Sequence, residues 1–250
     1  MAGTFAIAPA AVADHTDSAA GKPVGGGLGE RPLVGVRIAI DPGHSDAQPE
    51  DRSELTQRVP DGRGGRSACD TVGNATTSGY SEHEFALDVA TAMAAELRRQ
   101  GAIVLLTRSD NEGVGPCVDR RGTFAEDNDV ELLLSLHANS STNPDDAGFY
   151  AVVADPPLSD SQAEPSRTLA DTMVQALVDG GFTPSEAQPD GVVERDDLAT
   201  LNFARRPAVL LELGEMRNAE DAARMESEEG RQAYADALVD GVTTWLDARD

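Results

Sequence analysis

Lysine is almost absent from this chain. Lys22 is its one lysine in 250 residues, and 20 basic side chains face 44 acidic ones, for a formal net charge of −24. A surface that acidic repels polyanions, which excludes nucleic acid and anionic membranes as partners. Two readings of the charge stay open: solubility, and a salty medium that screens the self-repulsion. Cysteine is scarce as well, with Cys69 and Cys117 alone. Neither sits in a Cys-x-x-Cys motif, which argues against a thiolate metal site and leaves one disulfide or two free thiols. No stretch is long or apolar enough to span a bilayer. Gly-x-Ser-x-Gly and phosphate-loop motifs are missing too.

What is present suffices for a globular fold. Apolar residues make up 40% of the chain, and its length allows one large domain or two small ones. Residues 1–33 read as a leader. Phe5 to Val12 is a short apolar run, and Ala11-Val12-Ala13 has the small-x-small pattern of a signal-peptidase site. The basic residues that open a full signal are missing, so the reading is a clipped secretion signal followed by a Gly25-Gly26-Gly27 linker.

From residue 34 strands alternate with helices. Val36 to Ile40 is β-rich and apolar, and Asp41-Pro42-Gly43 stops it. Residues 45–80 are polar and rich in Gly, Arg and Asp. That is too long for an ordinary connection, so a functional loop or a surface hairpin is expected. Ser81 with Glu84 forms a capping box, and Phe85, Val89, Met93 and Leu97 recur at helical spacing up to Gly101. Further strands are expected at 103–106, 130–136, 148–153 and 208–213. Helices are expected at 117–127, 161–179, 219–227 and 229–247, with 182–206 irregular. Apolar strands between helices imply an α/β fold, a mostly parallel central sheet with helices on both faces, as a single domain over 34–250.

Four polar residues then stand out by position. His44 follows the first strand and His137 follows the strand at 130–136. Glu82 opens a helix whose N-terminus should share the rim of the strand carboxyl ends, where open α/β sheets bind ligands. Two imidazoles and a carboxylate suit Zn2+ with a fourth position left for water. Glu212 interrupts the apolar run Val209 to Leu213, and a carboxylate there is costly unless it is paired, near a metal or catalytic. It is the natural general base. Each residue has an ordinary alternative: Glu82 as a favourable helix-start charge, His137 bonded to a backbone carbonyl, Glu212 paired with a buried arginine such as Arg108 or Arg121. His83-Glu84 begins like the zinc-protease motif His-Glu-x-x-His, but Leu87 stands where the second His is needed.

These stretches together resemble a family. Ile-Asp-Pro-Gly-His44, Glu82 ahead of Leu87, Gly101 through Leu106-Thr107-Arg108, Ser135-Leu136-His137-Ala138-Asn139, and Leu211-Glu212-Leu213-Gly214 with Asn218 occur in the order found in zinc-dependent N-acetylmuramoyl-L-alanine amidases of the amidase-3 type. Gly79-Tyr80-Ser81-Glu82-His83 and Gly115 to Asp119 resemble the small mycobacterial-type members, which also carry a second cysteine in the preceding loop. The resemblance implies zinc held by His44, Glu82 and His137, catalysis by Glu212, and peptidoglycan or muropeptides as substrate. It further implies a secreted wall hydrolase, an autolysin, acting as a monomer in the periplasm or cell wall. Two rivals remain: a zinc peptidase or other amidohydrolase with the same His2Glu site, and a non-catalytic wall-binding domain. In such a secreted chain Cys69 and Cys117 are expected to form a disulfide. The chain departs from the common pattern at Ser45-Asp46, where Gly-Gly is usual, and at Glu215, where Phe is usual. Ser45-Asp46 and Glu215 are expected to line the substrate groove.

Overall fold

Ile38 and Ile40 belong to one apolar cluster and Ala39 to another, and that alternation sets the plan of the molecule. The computed structural model describes residues 33–249. In chain order the strands are β1 (Arg37–Pro42), β2 (Arg58–Pro60), β3 (Arg66–Ala68), β4 (Ile103–Leu106), β5 (Leu132–Asn139), β6 (Tyr150–Ala154), β7 (Val192–Arg195) and β8 (Ala208–Glu215). The helices are α1 (Arg52–Leu55), α2 (Glu82–Arg99), α3 (Val118–Asp127), α4 (Glu164–Asp179), α5 (Ala199–Phe203), α6 (Ala219–Glu226) and α7 (Glu228–Asp247).

Six strands form one sheet in the order β4-β1-β5-β8-β6-β7. β5 repeats the alternation of β1, with Leu132, Leu134 and Leu136 on one face and Leu133 on the other. Strands buried on both faces read as continuous apolar runs, and helices must cover both sides. α2, α4 and α7 cover the larger face through Phe85, Met93, Met173, Tyr234 and Leu238. The smaller cluster, on the other face, takes Ala125 from α3 and Leu201 from α5.

The sheet is mixed. β4, β1, β5 and β8 run parallel, while β6 pairs antiparallel with β8 and parallel with β7. The connection from β5 to β6, residues 140–149, contains no crossover helix, so β6 reverses direction. The region 182–206, expected to be irregular, holds β7 and α5. Each is too short to show a period in sequence. The long segment 45–80 contains the antiparallel hairpin β2–β3. The leader expected over 1–33 lies outside the described residues except for Leu33, which is buried and donates its N–H to Gln100 O at 3.2 Å. Among the described residues no helix is long and apolar enough to cross a membrane.

Candidate metal centre

The first strand delivers His44 through a turn that two arginines hold from behind. His44 has φ +60°, a left-handed conformation that a non-glycine residue adopts at a cost of about 1–2 kcal/mol. Arg121 donates to Pro42 O at 2.7 Å and to His44 O at 2.8 Å. Arg108 donates to Pro42 O at 2.9 Å and to Gly43 O at 2.8 Å. The carbonyls of the turn are thus fixed by planar, always-charged donors. Burial and the nearby Arg121 charge pull Arg108 down to about 10.

Arg121 itself is almost fully buried and bridges two carboxylates, Asp41 and Asp70, at 2.8 Å each. Burial alone would raise Asp41. The charge of Arg121 and hydrogen bonds from Thr107, Ser135 and Arg121 outweigh it and hold the carboxyl below its ordinary range. Asp70 follows Cys69, which is bonded to Cys117 at the N-cap of α3. The disulfide therefore ties the segment after β3 to the helix that carries Arg121.

Glu82 is the first residue of α2, and Glu84 accepts from both Ser81 N–H and Ser81 Oγ. The three candidates converge. His44 Nε2 lies 2.9 Å and His137 Nδ1 3.1 Å from Glu82 Oε1, and the two imidazole nitrogens are 3.1 Å apart. One donor atom from each falls within 4.8 Å of the others, a group able to hold a metal ion. Burial pushes Glu82 up, but hydrogen bonds and charge from His137 and His44 hold it far below the ordinary carboxylate range. Burial pushes His137 down, and Glu82 more than offsets that, so His137 is raised.

The second atoms of His44 and Glu82 are also occupied. His44 Nδ1 lies 3.0 Å from Thr71 O and 2.9 Å from Thr71 Oγ1, and a proton on Nδ1 donated to that carbonyl leaves Nε2 free to act as a ligand. Glu82 Oε2 accepts from Asn74 N at 2.9 Å, and its Oε1 accepts from Ala138 N at 3.1 Å. Thr71 and Asn74 were invisible in the sequence reading. The signals near them were the length of segment 45–80 and the cysteine at 69. Gly43 is needed for close approach: a Cβ there would lie 2.3 Å from His137 Cε1.

Glu212 pairs across the sheet with His137 on one side and Tyr150 on the other. Its Oε2 is buried and has no hydrogen-bond partner among the described residues. Burial raises its carboxyl to about 7, assisted by the charges of Glu82 and Glu215 and opposed by His137 and Arg195. Arg108 and Arg121 are spent on the 42–44 turn, so neither is the ion-pair partner considered for Glu212. His83 stays outside the cluster, with Nδ1 3.3 Å from Asn111 Oδ1.

Ser45 and Glu215 do not line an open groove. Ser45 is 2% exposed and donates to Asp70 Oδ2. Glu215 is 3% exposed and accepts from Asn139 Nδ2 at 2.5 Å and Ser141 N at 2.7 Å. The cavity beside the cluster has a volume of about 240 Å³ and lies between His44 and His137 on one side and Leu198 and Leu210 on the other.

Comparison with known proteins adds an independent line. A family model described as N-acetylmuramoyl-L-alanine amidase matches residues 38–244. The chain is 39% identical over 215 residues to the N-acetylmuramoyl-L-alanine amidase Rv3717 of Mycobacterium tuberculosis, covering 86% of this chain and 88% of that protein. Among solved structures it is similar to the apo form of the N-acetylmuramyl-L-alanine amidase Ami1 from Mycobacterium abscessus, with TM-score 0.82, 38% identity, and coverage of 86% of this chain and 100% of that one. It is also similar to Ami1 from Mycobacterium smegmatis, with TM-score 0.83, 36% identity, and coverage of 86% and 99%.

Proposed function

The chain belongs to the Amidase_3 family of N-acetylmuramoyl-L-alanine amidases, and from that premise we propose that His44, Glu82 and His137 bind one zinc ion and that Glu212 is the general base. The enzyme hydrolyses the amide between N-acetylmuramic acid and L-alanine in peptidoglycan. The observation that carries the site assignment is the convergence of the three donors beside an unpartnered Glu212 oxygen.

The donor set fits zinc. Ligand atoms around a tetrahedral zinc with bonds of about 2.0–2.1 Å stand roughly 3.3 Å apart. The three donors here are 2.9, 3.1 and 3.1 Å apart. Two neutral imidazoles and one carboxylate leave a single net negative charge, as in other catalytic His2Glu sites. Zinc bound there would polarise the lactyl carbonyl and lower the pKa of a water beside it.

The protein's own residues do the rest. Glu212 accepts a proton from the attacking water and passes it to the leaving L-alanine nitrogen. Its burial keeps the carboxyl basic enough for that exchange, with a value raised to about 7. Thr71 and Asn74 keep the donor side chains aimed, and Arg108 and Arg121 keep the 42–44 turn from relaxing.

We further propose one catalytic domain over 34–250 that is secreted. The Cys69–Cys117 bridge supports action outside the membrane, since disulfides persist in oxidising compartments. We also propose that the enzyme acts as a monomer.

Metal analysis and muropeptide cleavage test the assignment together. His137→Ala should lose stoichiometric zinc. Glu212→Gln should retain zinc and lose hydrolysis by about two to four orders of magnitude. Full zinc occupancy in the first variant, or near-normal turnover in the second, would sink it.

A further inference from the structure

One row of the sheet runs across the candidate site. His137 on β5 pairs with Glu212 on β8, and Glu212 pairs with Tyr150 on β6. Residues opposite one another on neighbouring strands project to the same face, with Cβ atoms about 4.5–5.5 Å apart. Tyr150 therefore stands beside Glu212 on the side away from the metal cluster. Its ring is partly buried against the apolar cluster that includes Val152 and Leu210. Its phenol responds to burial and to the charges of Glu212, Glu215, Arg195 and Glu82, with no hydrogen bond among these influences. The hydroxyl makes no hydrogen bond among the described residues, and Glu212 is its cross-strand neighbour on the same face. Glu212 Oε2 is the matching uncommitted acceptor.

We propose that Tyr150 is a catalytic hydrogen-bond donor that holds the substrate's carbonyl oxygen as negative charge builds on it. This rests on the amidase reading of the same site. Water's oxygen bonds to the lactyl carbonyl carbon while Glu212 takes a water proton. The carbon–nitrogen bond then breaks, Glu212 delivers that proton to the L-alanine nitrogen, and a muramoyl carboxylic acid and a free amine leave. Tyr150 keeps its own proton throughout. Burial and three neighbouring carboxylates hold the phenol protonated well above its usual range, so it serves as a donor and not as a base. A fixed donor aimed at a developing oxyanion needs no reorganisation during the reaction, which is why such groups contribute strongly.

Tyr150→Phe removes only the hydroxyl and keeps the packing ring. In the zinc-loaded chain acting on a muropeptide, kcat should fall about 100-fold with KM little changed, the scale for one oxyanion donor. Affinity for a phosphinate analogue of the muramoyl–alanine linkage, measured by calorimetry, should fall by a similar factor, because that analogue carries the transition-state charge. The melting point and zinc content should not move. An unchanged kcat in Tyr150→Phe beside an active parent overturns this inference alone. A shifted pH profile with unchanged phosphinate affinity does the same, since it would mean that Tyr150 acts only through Glu212. A parent inactive on muropeptides overturns the amidase reading and this inference with it.

Discussion

Replacing Arg121 with Met should be among the most damaging single substitutions in the molecule. The guanidinium is 2% exposed and uses all five of its N–H groups, on Pro116 O, Asp41, Pro42 O, His44 O and Asp70. Met fills much of the volume but leaves two buried carboxylates without their cation. Asp41 would keep Thr107 and Ser135, and Asp70 would keep Ser45 and the Thr71 N–H. Removing one partner of a buried ion pair costs about 3–5 kcal/mol. For a chain of this size 1 kcal/mol moves the melting point by about 2–4 °C, so a drop of about 6–20 °C is expected. The exposed pair Arg167–Asp171 supplies the control: Arg167→Met should change stability by less than about 0.5 kcal/mol. Arg121→Lys should fall between, since a lysine keeps the charge but offers three donors without the planar fork. Zinc affinity should drop about 10- to 100-fold in Arg121→Met, because the turn that aims His44 loses its support. Denaturant midpoints at pH 7 with the disulfide intact, plus metal titration, give both numbers. A loss in Arg121→Met no larger than that in Arg167→Met would refute the buried-network argument.

Much of this was legible in the chain because the central elements obey strong local rules. β1, β5 and β8 are apolar on both faces, and α2 carries a capping box, a periodic apolar stripe and a terminal glycine. Strand ends and helix starts then placed His44, His137 and Glu82 on one rim without knowledge of any tertiary contact. The edge of the sheet was less legible. β7 has four residues and α5 has five, and tertiary packing, not propensity, decides such short elements. The direction of β6 could have been read from the short 140–149 connection, but apolar strands between helices favour a parallel guess. The support around the site was hidden for another reason. Thr71, Asn74 and Tyr150 act through where the chain brings them, and nothing in their neighbours' pattern marks them. Ser45 and Glu215 show the reverse error: departures from a family pattern beside site residues were assigned to a groove, whereas both side chains are buried and hydrogen-bonded.

The other expectations concern the frame of the site. Joint replacement of Cys69 and Cys117 by Ser opens a loop spanning 48 residues in sequence, and chain entropy puts the loss at about 4 kcal/mol. An unchanged denaturant midpoint would show that the bridge contributes little. Gly43→Ala would place a Cβ 2.3 Å from His137 Cε1 and 2.6 Å from its Nδ1, so the ring must swing away. Zinc affinity should fall while helical circular dichroism stays the same, and parental affinity would count against the contact. The last expectation is a pH dependence. Asp41 has a carboxyl held below its ordinary range in the folded state, with Arg121 the largest stabilising influence. Its unfolded value is about 3.9. Between the folded and unfolded values the unfolded chain binds more protons, so stability rises with pH there. The contribution is therefore complete above about pH 4 and is lost as the pH falls through the folded value. In Arg121→Met that depression shrinks, because the cation that contributes most to it is gone. The parent should lose stability on acidification from pH 5 to 3, roughly the window of carboxylate titration, faster than Arg121→Met does. The gap between the two proteins should then narrow as the pH drops. A gap that stays constant over that range would mean that Asp41 does not carry the charge linkage assigned to it.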